Sequence, residues 1–590
     1  MNNTEKKYSL SIILARVMMM QFKATPGHSI LNILIGALMA LLLTSSVIAT
    51  QRLFDAITVL SSGLIGYWDA TIQIFILAGI IIGREVLNGV LNFHTEILSS
   101  KTIGNIKFNL LNKLQQISAI NFEDTSFLNN LSKAKEGVSS VPAFSITFSM
   151  LVSCYMVYFI SIGSYLFNLQ PLLLVTLVLA FIPALFAQVM RVKVFTRLED
   201  QSAPLRRECE YYQNAICSRE YFKETRILGA FSFFHNLFCQ TMLLFNQKKW
   251  RAERKIMLLQ LLLNSSTFVG MAISTYILFT ATMMGVVTVG AFAAVFGSLS
   301  LLFGIMQEIV TWHIGDMNQN LVKIVNLVRI LDMQEQTAND GDPLFSKGVI
   351  AENVSFTYRG QNAPAVKDVS LKIGNNETIA LVGENGSGKS TLVRLLTGIY
   401  SPVEGKVMIG GLDVDTTNPI SIYKGISATF QKYQRYKMTL EENVTISDLN
   451  YEIDILQFKS ALDDACVEYM DIGIDTMLAP EFDGIDLSGG QWQRLAIARG
   501  LYRTSGFIVL DEPTAAIDPI EEQRIYSQFK QMVEGKCTII VTHRLGSTKL
   551  ANRIVVMDAG RIADIGTHAE LLSRPGKYAE MWEAQAKWYI

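Results

Sequence analysis

The sequence predicts two unlike halves in one chain: an α-helical membrane domain of six spans, then a soluble α/β domain. Three observations predict this. Long apolar runs recur before about residue 320 and stop after about residue 340. Lys and Arg alternate between crowded and empty inter-span segments. A strand, a glycine-rich loop and a helix follow one another in the second half.

Composition agrees. Of 590 residues, 50% are hydrophobic and 17% charged, against a usual ~25% charged, and mean hydropathy is +0.29. With 51 Lys+Arg against 52 Asp+Glu, the formal charge is −1. An ordinary nucleic-acid binder needs a basic excess, and a disordered chain needs more charge and fewer aromatics; both are excluded. The six cysteines show no C-x-x-C and no regular spacing, so neither a disulfide framework nor a zinc site is expected.

Taking the elements in order, residues 1–27 form a polar lead. Spans are expected at 28–49, 69–95, 142–167, 171–191, 256–283 and 286–312, each long enough to cross ~30 Å of hydrocarbon. The first is too long for a signal peptide and has no convincing small-residue cleavage site. The segments Asn168–Pro171 and Ala281–Gly285 carry no charge, whereas Lys101, Lys107, Lys113, Lys133 and Lys135 separate spans two and three. A basic run from Arg191 to Arg251 separates spans four and five. The positive-inside rule therefore places both long segments and both termini in the cytoplasm. Read as helical hairpins, these segments would project roughly 30–45 Å below the membrane, turning back near Asn121–Leu131 and Tyr211–Tyr221 and docking on the soluble half. The membrane domain is expected over 28–325 and the nucleotide-binding domain over 340–590.

The soluble half opens with ENVSFTY, a strand-like alternation, and runs through ETIALVG into GENGSGKST at Gly383–Thr391 and the helical LVRLLTGIY. That context makes a P-loop. Gly383, Asn385, Gly386, Ser387 and Gly388 can curl backbone N–H groups round phosphate oxygens at a helix N-terminus, whose dipole favours anions. Lys389 can reach the outer phosphates of ATP, with Ser390 ligating Mg²⁺ and Thr391 completing the loop. Downstream, FIVL at Phe507–Leu510 leads into Asp511 and Glu512. A buried strand ending in a carboxylate suits Asp511 to Mg²⁺, and Glu512 to polarising the attacking water. Between these motifs, LSGGQWQR at Leu487–Arg494 sets Ser488, Gly489, Gly490 and Gln491 at a helix start, a second anion-binding device. One γ-phosphate does not need two such devices from one chain, so this element is expected to meet nucleotide held by another copy.

Together GENGSGKST, LSGGQ, VLDEP and a following VTHR resemble the ATP-binding cassette superfamily. The order of a six-span domain and then a cassette resembles a half-size exporter of the type IV class. The resemblance implies that Tyr358 stacks on adenine, and that Gln431 is the Q-loop glutamine sensing Mg²⁺ and contacting the membrane half. It further implies that Asp518 is the D-loop aspartate, that His543 is the switch histidine on the γ-phosphate, and that two cassettes sandwich two ATPs. No motif is degenerate, which favours a homodimer with two competent sites, and a heterodimer with a defective partner is also compatible. The stretches FQKYQRYKMTLEENV, DGIDLSGGQWQR and KYAEMWEAQAKWY are similar to bacterial exporters of modified peptides, including lantibiotic transporters. The expected function is therefore ATP-driven export of a peptide or amphipathic compound across a bacterial plasma membrane. Its rivals are multidrug or lipid-like export, and an ATP-gated channel or sensor on the same fold. Membrane lipid is an expected partner and nucleic acid is not. Arg84, Glu85 and Glu308 are ionisable residues in or near spans, and so candidates for the substrate path; a helix already clear of the bilayer is the slightly better explanation for all three.

Overall fold

The computed structural model describes residues 9–61, 66–218, 220–333, 339–449, 452–467, 472–513, 524–525, 529 and 533–586. Asp518 lies outside them. The chain divides into two compact units, one of residues 1–115 and 129–333, the other of 116–128 and 334–590.

Among the described residues, six helices are long and apolar enough to cross a membrane: Pro26–Ser61, Tyr67–Gln115, Thr125–Leu169, the Pro171–Arg191 part of a longer helix, Phe231–Met283 and Val289–Glu308. The second to the fifth greatly exceed one bilayer, the third, Thr125–Leu169, with 45 residues. Tyr67–Gln115 has 49 residues, Pro171–Cys217 has 47 and Phe231–Met283 has 53. At 1.5 Å per residue, the surplus makes the two long hairpins. The first turns at Ala119–Glu123, a 3₁₀ turn. The second turns later than its sequence suggests: Tyr211 is still helical, and the chain reverses through Ser218–Ala230.

Apolar burial holds the membrane unit's core, where Ala40, Leu43 and Val47 meet Tyr158, Ile162, Ala291, Ala294 and Leu299. Small residues set the approach of these helices. A Cβ on Gly290 would lie 2.3 Å from Asp55 Oδ1, and the Gly290 N–H donates to that oxygen over 3.0 Å. Two π-turns, Leu151–Met156 and Ile309–His313, interrupt the helices. Arg84 is satisfied locally by its neighbour, with Nη2 donating to Glu85 Oε1 over 2.6 Å.

The second unit carries ten described strands. They are β1 Val349–Phe356, β2 Val366–Ile373, β3 Thr378–Gly383, β4 Glu404–Ile409 and β5 Leu412–Asp413. After them come β6 Ile426–Thr429, β7 Phe507–Asp511, β8 Cys537–Val541, β9 Arg553–Asp558 and β10 Arg561–Gly566. One sheet runs β2-β1-β4-β5, with antiparallel pairs; the other runs β10-β9-β3-β8-β7-β6, parallel except for β9 with β10. Every residue of β3, β7 and β8 is buried, which is why their sequences are apolar runs rather than alternations. The three strands are parallel neighbours, so their C-terminal ends open on one edge of the sheet, where ligands bind in open α/β folds. The P-loop, the Asp511–Glu512 pair and His543 all follow those ends.

The first hairpin's turn belongs to this unit. Tyr400 Oη donates to Glu123 Oε1 over 2.6 Å, Arg394 pairs with Glu123 at 3.8 Å, and Arg359 Nη1 donates to Asn121 Oδ1 over 3.0 Å.

Candidate nucleotide site

The loop after β3 has a shape that its glycines make possible. Gly383 has φ +153°, and a Cβ there would lie 2.3 Å from the Met557 carbonyl oxygen. Gly388 caps the helix Lys389–Leu396 with φ +97°, and its Cβ would lie 2.5 Å from Ala365 O. Inside the loop the buried Ser387 hydroxyl has no hydrogen-bond partner among the described residues. An orphaned buried hydroxyl is costly, and at the mouth of a phosphate loop an anion's oxygen would satisfy it.

Lys389 is buried, and its Nζ donates to Gly383 O over 2.9 Å and Glu384 O over 2.8 Å. Burial lowers its pKa, opposed by the charges of Glu512 and Asp511. The ammonium thus holds the loop's own carbonyls. Ser390 is exposed, whereas Thr391 is buried with its hydroxyl 3.1 Å from the Tyr358 hydroxyl.

At the end of β7, Asp511 is buried, and its pKa is pushed up to about 6 by burial first and by the Glu512 charge second. Glu512 has φ +49°, a left-handed conformation that a residue with a Cβ rarely adopts. It is held there by its N–H, which donates to Val541 O over 2.9 Å. Both carboxylate oxygens are engaged: Gln431 Nε2 donates to Oε2 over 2.7 Å, and His543 Nε2 lies 2.7 Å from Oε1. The His543 pKa is lowered, chiefly by burial and by Lys389, against an opposing pull from Glu512. Gln431, Asp511, Glu512 and His543, far apart in sequence, thus converge beside Lys389, and strained backbone at such a convergence is typical of functional sites.

The LSGGQ element begins a separate helix, Gly489–Tyr502. Ser488 is its N-cap, and a capping box closes the start: Gln491 Oε1 accepts from the Ser488 N–H over 2.8 Å, while Ser488 Oγ accepts from the Gln491 N–H over 3.4 Å. The Gly489 carbonyl accepts from the Tyr433 hydroxyl at 2.8 Å. In this state the Gln491 side chain serves its own helix, and Gly489 and Gly490 form the first turn. Tyr358 stands half-buried, edge-on to Phe356 and Tyr400, and its hydroxyl accepts from Arg394 at 3.1 Å. It borders a polar cavity of about 330 Å³ shared with Glu123, Arg359 and Arg394.

Motif reading missed the helix Lys577–Ala586. Lys577 Nζ pairs with Glu384 Oε1 of the P-loop at 3.1 Å. The Gln585 amide donates to the His543 carbonyl and accepts from the Leu545 N–H at 3.0 Å. In sequence this stretch, KYAEMWEAQAKWY, stands out only for its similarity to peptide exporters, which gives Lys577 and Gln585 no place in the site.

Comparison with known proteins gives the same picture. Residues 366–515 match the ABC transporter family model. The subtilin transport ATP-binding protein SpaT of Bacillus subtilis is 28% identical over 86% of this chain and 84% of its own length. The nisin transport ATP-binding protein NisT of Lactococcus lactis is 35% identical over 40% of each chain. The ATP-dependent lipid A-core flippase of Escherichia coli K12 is 31% identical over 52% of this chain and 54% of its own. Among solved structures, a bacterial Atm1-family ABC exporter with ATP bound superposes with a TM-score of 0.81 at 22% identity, covering 94% of this chain and 98% of that one. Six candidate spans, a cassette whose motifs converge on one sheet edge, and these matches show an ABC transporter domain over residues 366–515 in a chain with the fold of a bacterial ABC exporter.

Proposed function

We propose that this chain exports a peptide or amphipathic compound across a bacterial plasma membrane as a homodimer, with both termini and the cassette in the cytoplasm. Residues 28–325 form its membrane domain and 340–590 its nucleotide-binding domain. The observation that carries the catalytic part is the gathering of Lys389, Asp511, Gln431 and His543 around Glu512. Residues Gly383, Asn385, Gly386, Ser387, Gly388 and Thr391 cradle the phosphates, and Lys389 turns from its own carbonyls to the outer phosphate oxygens. Ser390, Asp511 and Gln431 would hold Mg²⁺, whose charge neutralises the phosphate oxygens when bound. The buried carboxyl of Asp511 fits that place, since a cation would relieve the cost of its charge.

Glu512 is the general base. Each of its oxygens already has one partner, Gln431 on Oε2 and His543 on Oε1, and each keeps a second lone pair that can accept from a water. Closure requires Gln431 and His543 to turn toward nucleotide, which frees the carboxylate. Ser488, Gly489, Gly490 and Gln491 approach the ATP of the partner cassette, Asp518 lies at that interface, and Tyr358 stacks on adenine. The tip of the second hairpin supports dimerisation, because Ile227 and Leu228 are 87% and 70% exposed, apolar surface that a second copy would cover.

The peptide assignment rests on the subtilin and nisin transport proteins among the relatives. The flippase likeness favours a second reading, lipid-like cargo. ATPase assays in nanodiscs with amphipathic peptides and with lipid-like compounds separate the two. Stimulation by peptides alone supports the first reading, and stimulation by lipid-like compounds alone overturns it.

A further inference from the structure

Among the described residues of the membrane unit is an ionisable cluster, Tyr155, His313 and Glu308, that the ATPase chemistry does not use. It lies where the two π-turns meet. Tyr155, in the turn Leu151–Met156, is 5% exposed, and its hydroxyl lies 3.2 Å from His313 Nε2 in the turn Ile309–His313. The same Nε2 lies 3.6 Å from Glu308 Oε1. The His313 side chain is 17% exposed and that of Glu308 is 49% exposed, so the carboxylate is the open end of a chain whose inner members are enclosed. Among the described residues, the ion pair recorded for Glu308 is this one with His313.

Beside the cluster is an apolar groove of about 420 Å³ lined by Leu151, Tyr155, Met156, Phe159, Ile160 and Ile309. Tyr155 belongs to both cluster and groove, and Ile309 directly follows Glu308. π-turns inside α-helices recur at functional sites because they widen the helix and re-aim side chains. Glu308 is the last residue of the span Val289–Glu308, where a charged side chain can reach both the interface and an apolar wall. Tyr155 thus joins the apolar wall to a cluster that ends in a half-exposed carboxylate.

We propose that the groove and Glu308 form a substrate subsite for a cationic amphipathic ligand. An aliphatic or aromatic side chain fills the groove, and a neighbouring ammonium or guanidinium pairs with Glu308. His313 and Tyr155 position that carboxylate. Charge complementarity selects this occupant: a neutral lipid tail brings no charge to the half-exposed Glu308, and an acidic ligand meets repulsion. The proposal rests on the export reading and narrows its substrate class. A purely structural role, tying span three to the extension of span six, uses the same hydrogen bonds but does not select ligands by charge.

The test uses the full-length protein in phosphatidylcholine nanodiscs and two dansylated hexapeptides, Leu-Lys-Leu-Leu-Lys-Leu-amide and its counterpart with Gln in place of both lysines. Binding is read by fluorescence, with empty nanodiscs as the blank, and ATPase stimulation is read in parallel. Wild type should bind the lysine peptide about three- to fivefold more tightly than the glutamine peptide, the scale of one half-exposed ion pair. Glu308→Gln, which keeps the hydrogen-bonding shape, should bind both equally, and Glu308→Lys should prefer the glutamine peptide. Equal binding by wild type, no binding of either, or a preference that survives in Glu308→Gln overturns the proposal. Charge-selective binding through Glu308 without ATPase stimulation leaves the subsite standing and removes the peptide-export reading.

Discussion

Replacing Asp511 by Asn should stabilise the resting cassette while abolishing its response to ATP and Mg²⁺. The carboxyl ends a wholly buried strand, and burial, then the Glu512 charge, lift its pKa from 3.8 to about 6. Between those values the folded chain keeps a proton that the unfolded chain has released, so stability falls as pH rises through the window. Above about pH 6 the full cost is present. At 1.36 kcal/mol per pH unit, the gap between 3.8 and about 6 corresponds to about 3 kcal/mol. Asparagine escapes the charge but still buries an amide, so about half of that should be recovered. In a domain of this size each kcal/mol moves the melting temperature by ~2–4 °C, giving an expected rise of ~3–6 °C. The assay is calorimetry of the full chain in nanodiscs with EDTA. At pH 7.5 the variant should melt higher, and at pH 5, about halfway through the window, wild type carries about half of the cost, as the buried amide does, so the two should nearly coincide. Added ATP and Mg²⁺ should then raise the wild-type transition and leave the variant's unmoved. A variant that melts below wild type at pH 7.5, or by the same difference at both pH values, would refute the description of Asp511 as a buried charge awaiting a cation.

Glu512→Gln should retain ATP binding, read with a fluorescent nucleotide, while hydrolysis falls ~10²- to 10⁴-fold, the range for loss of a general base; full activity would remove Glu512 from that role. Gln585→Glu keeps an acceptor for the Leu545 N–H but loses the donor to the His543 carbonyl. One lost hydrogen bond predicts a ~3- to 10-fold fall in kcat with KM for ATP unchanged, and an unaltered kcat would make that clamp irrelevant to the switch. Glu123→Ala severs the bond from Tyr400 and the pair with Arg394. Basal hydrolysis should stay within about twofold while stimulation by transported compounds is lost, so a variant stimulated like wild type would show that signals cross elsewhere.

The spans and the P-loop were legible because their signals are local. Twenty apolar residues must bury themselves in lipid, and the glycines of GENGSGKST announce a backbone that bends round an anion. The loop after β7 was legible as chemistry but not as a state. Its sequence names Glu512 without revealing that Gln431, 81 positions earlier, holds one oxygen and His543 the other. Gln491 illustrates the same limit: its place in LSGGQ points to nucleotide, whereas here it closes a capping box at its own helix start. Local pattern reports what a residue can bond, and tertiary packing decides what it does bond. The π-turns escaped notice for a related reason, since Leu151–Met156 and Ile309–His313 keep helical composition and differ only in how their hydrogen bonds are spaced. Glu123 stood inside a segment read as a turn, and its partners Tyr400 and Arg394 lie in a different part of the sequence.

The most direct test of ATP-driven export is accumulation of a labelled amphipathic peptide in inside-out proteoliposomes. With wild type, ATP and Mg²⁺, the peptide should rise above its equilibrium level inside the vesicles, and it should not do so with Glu512→Gln. If wild type consumes ATP while the peptide merely equilibrates, the chain is not a pump for this class of compound, and a gated channel or a sensor on the same fold becomes the better account.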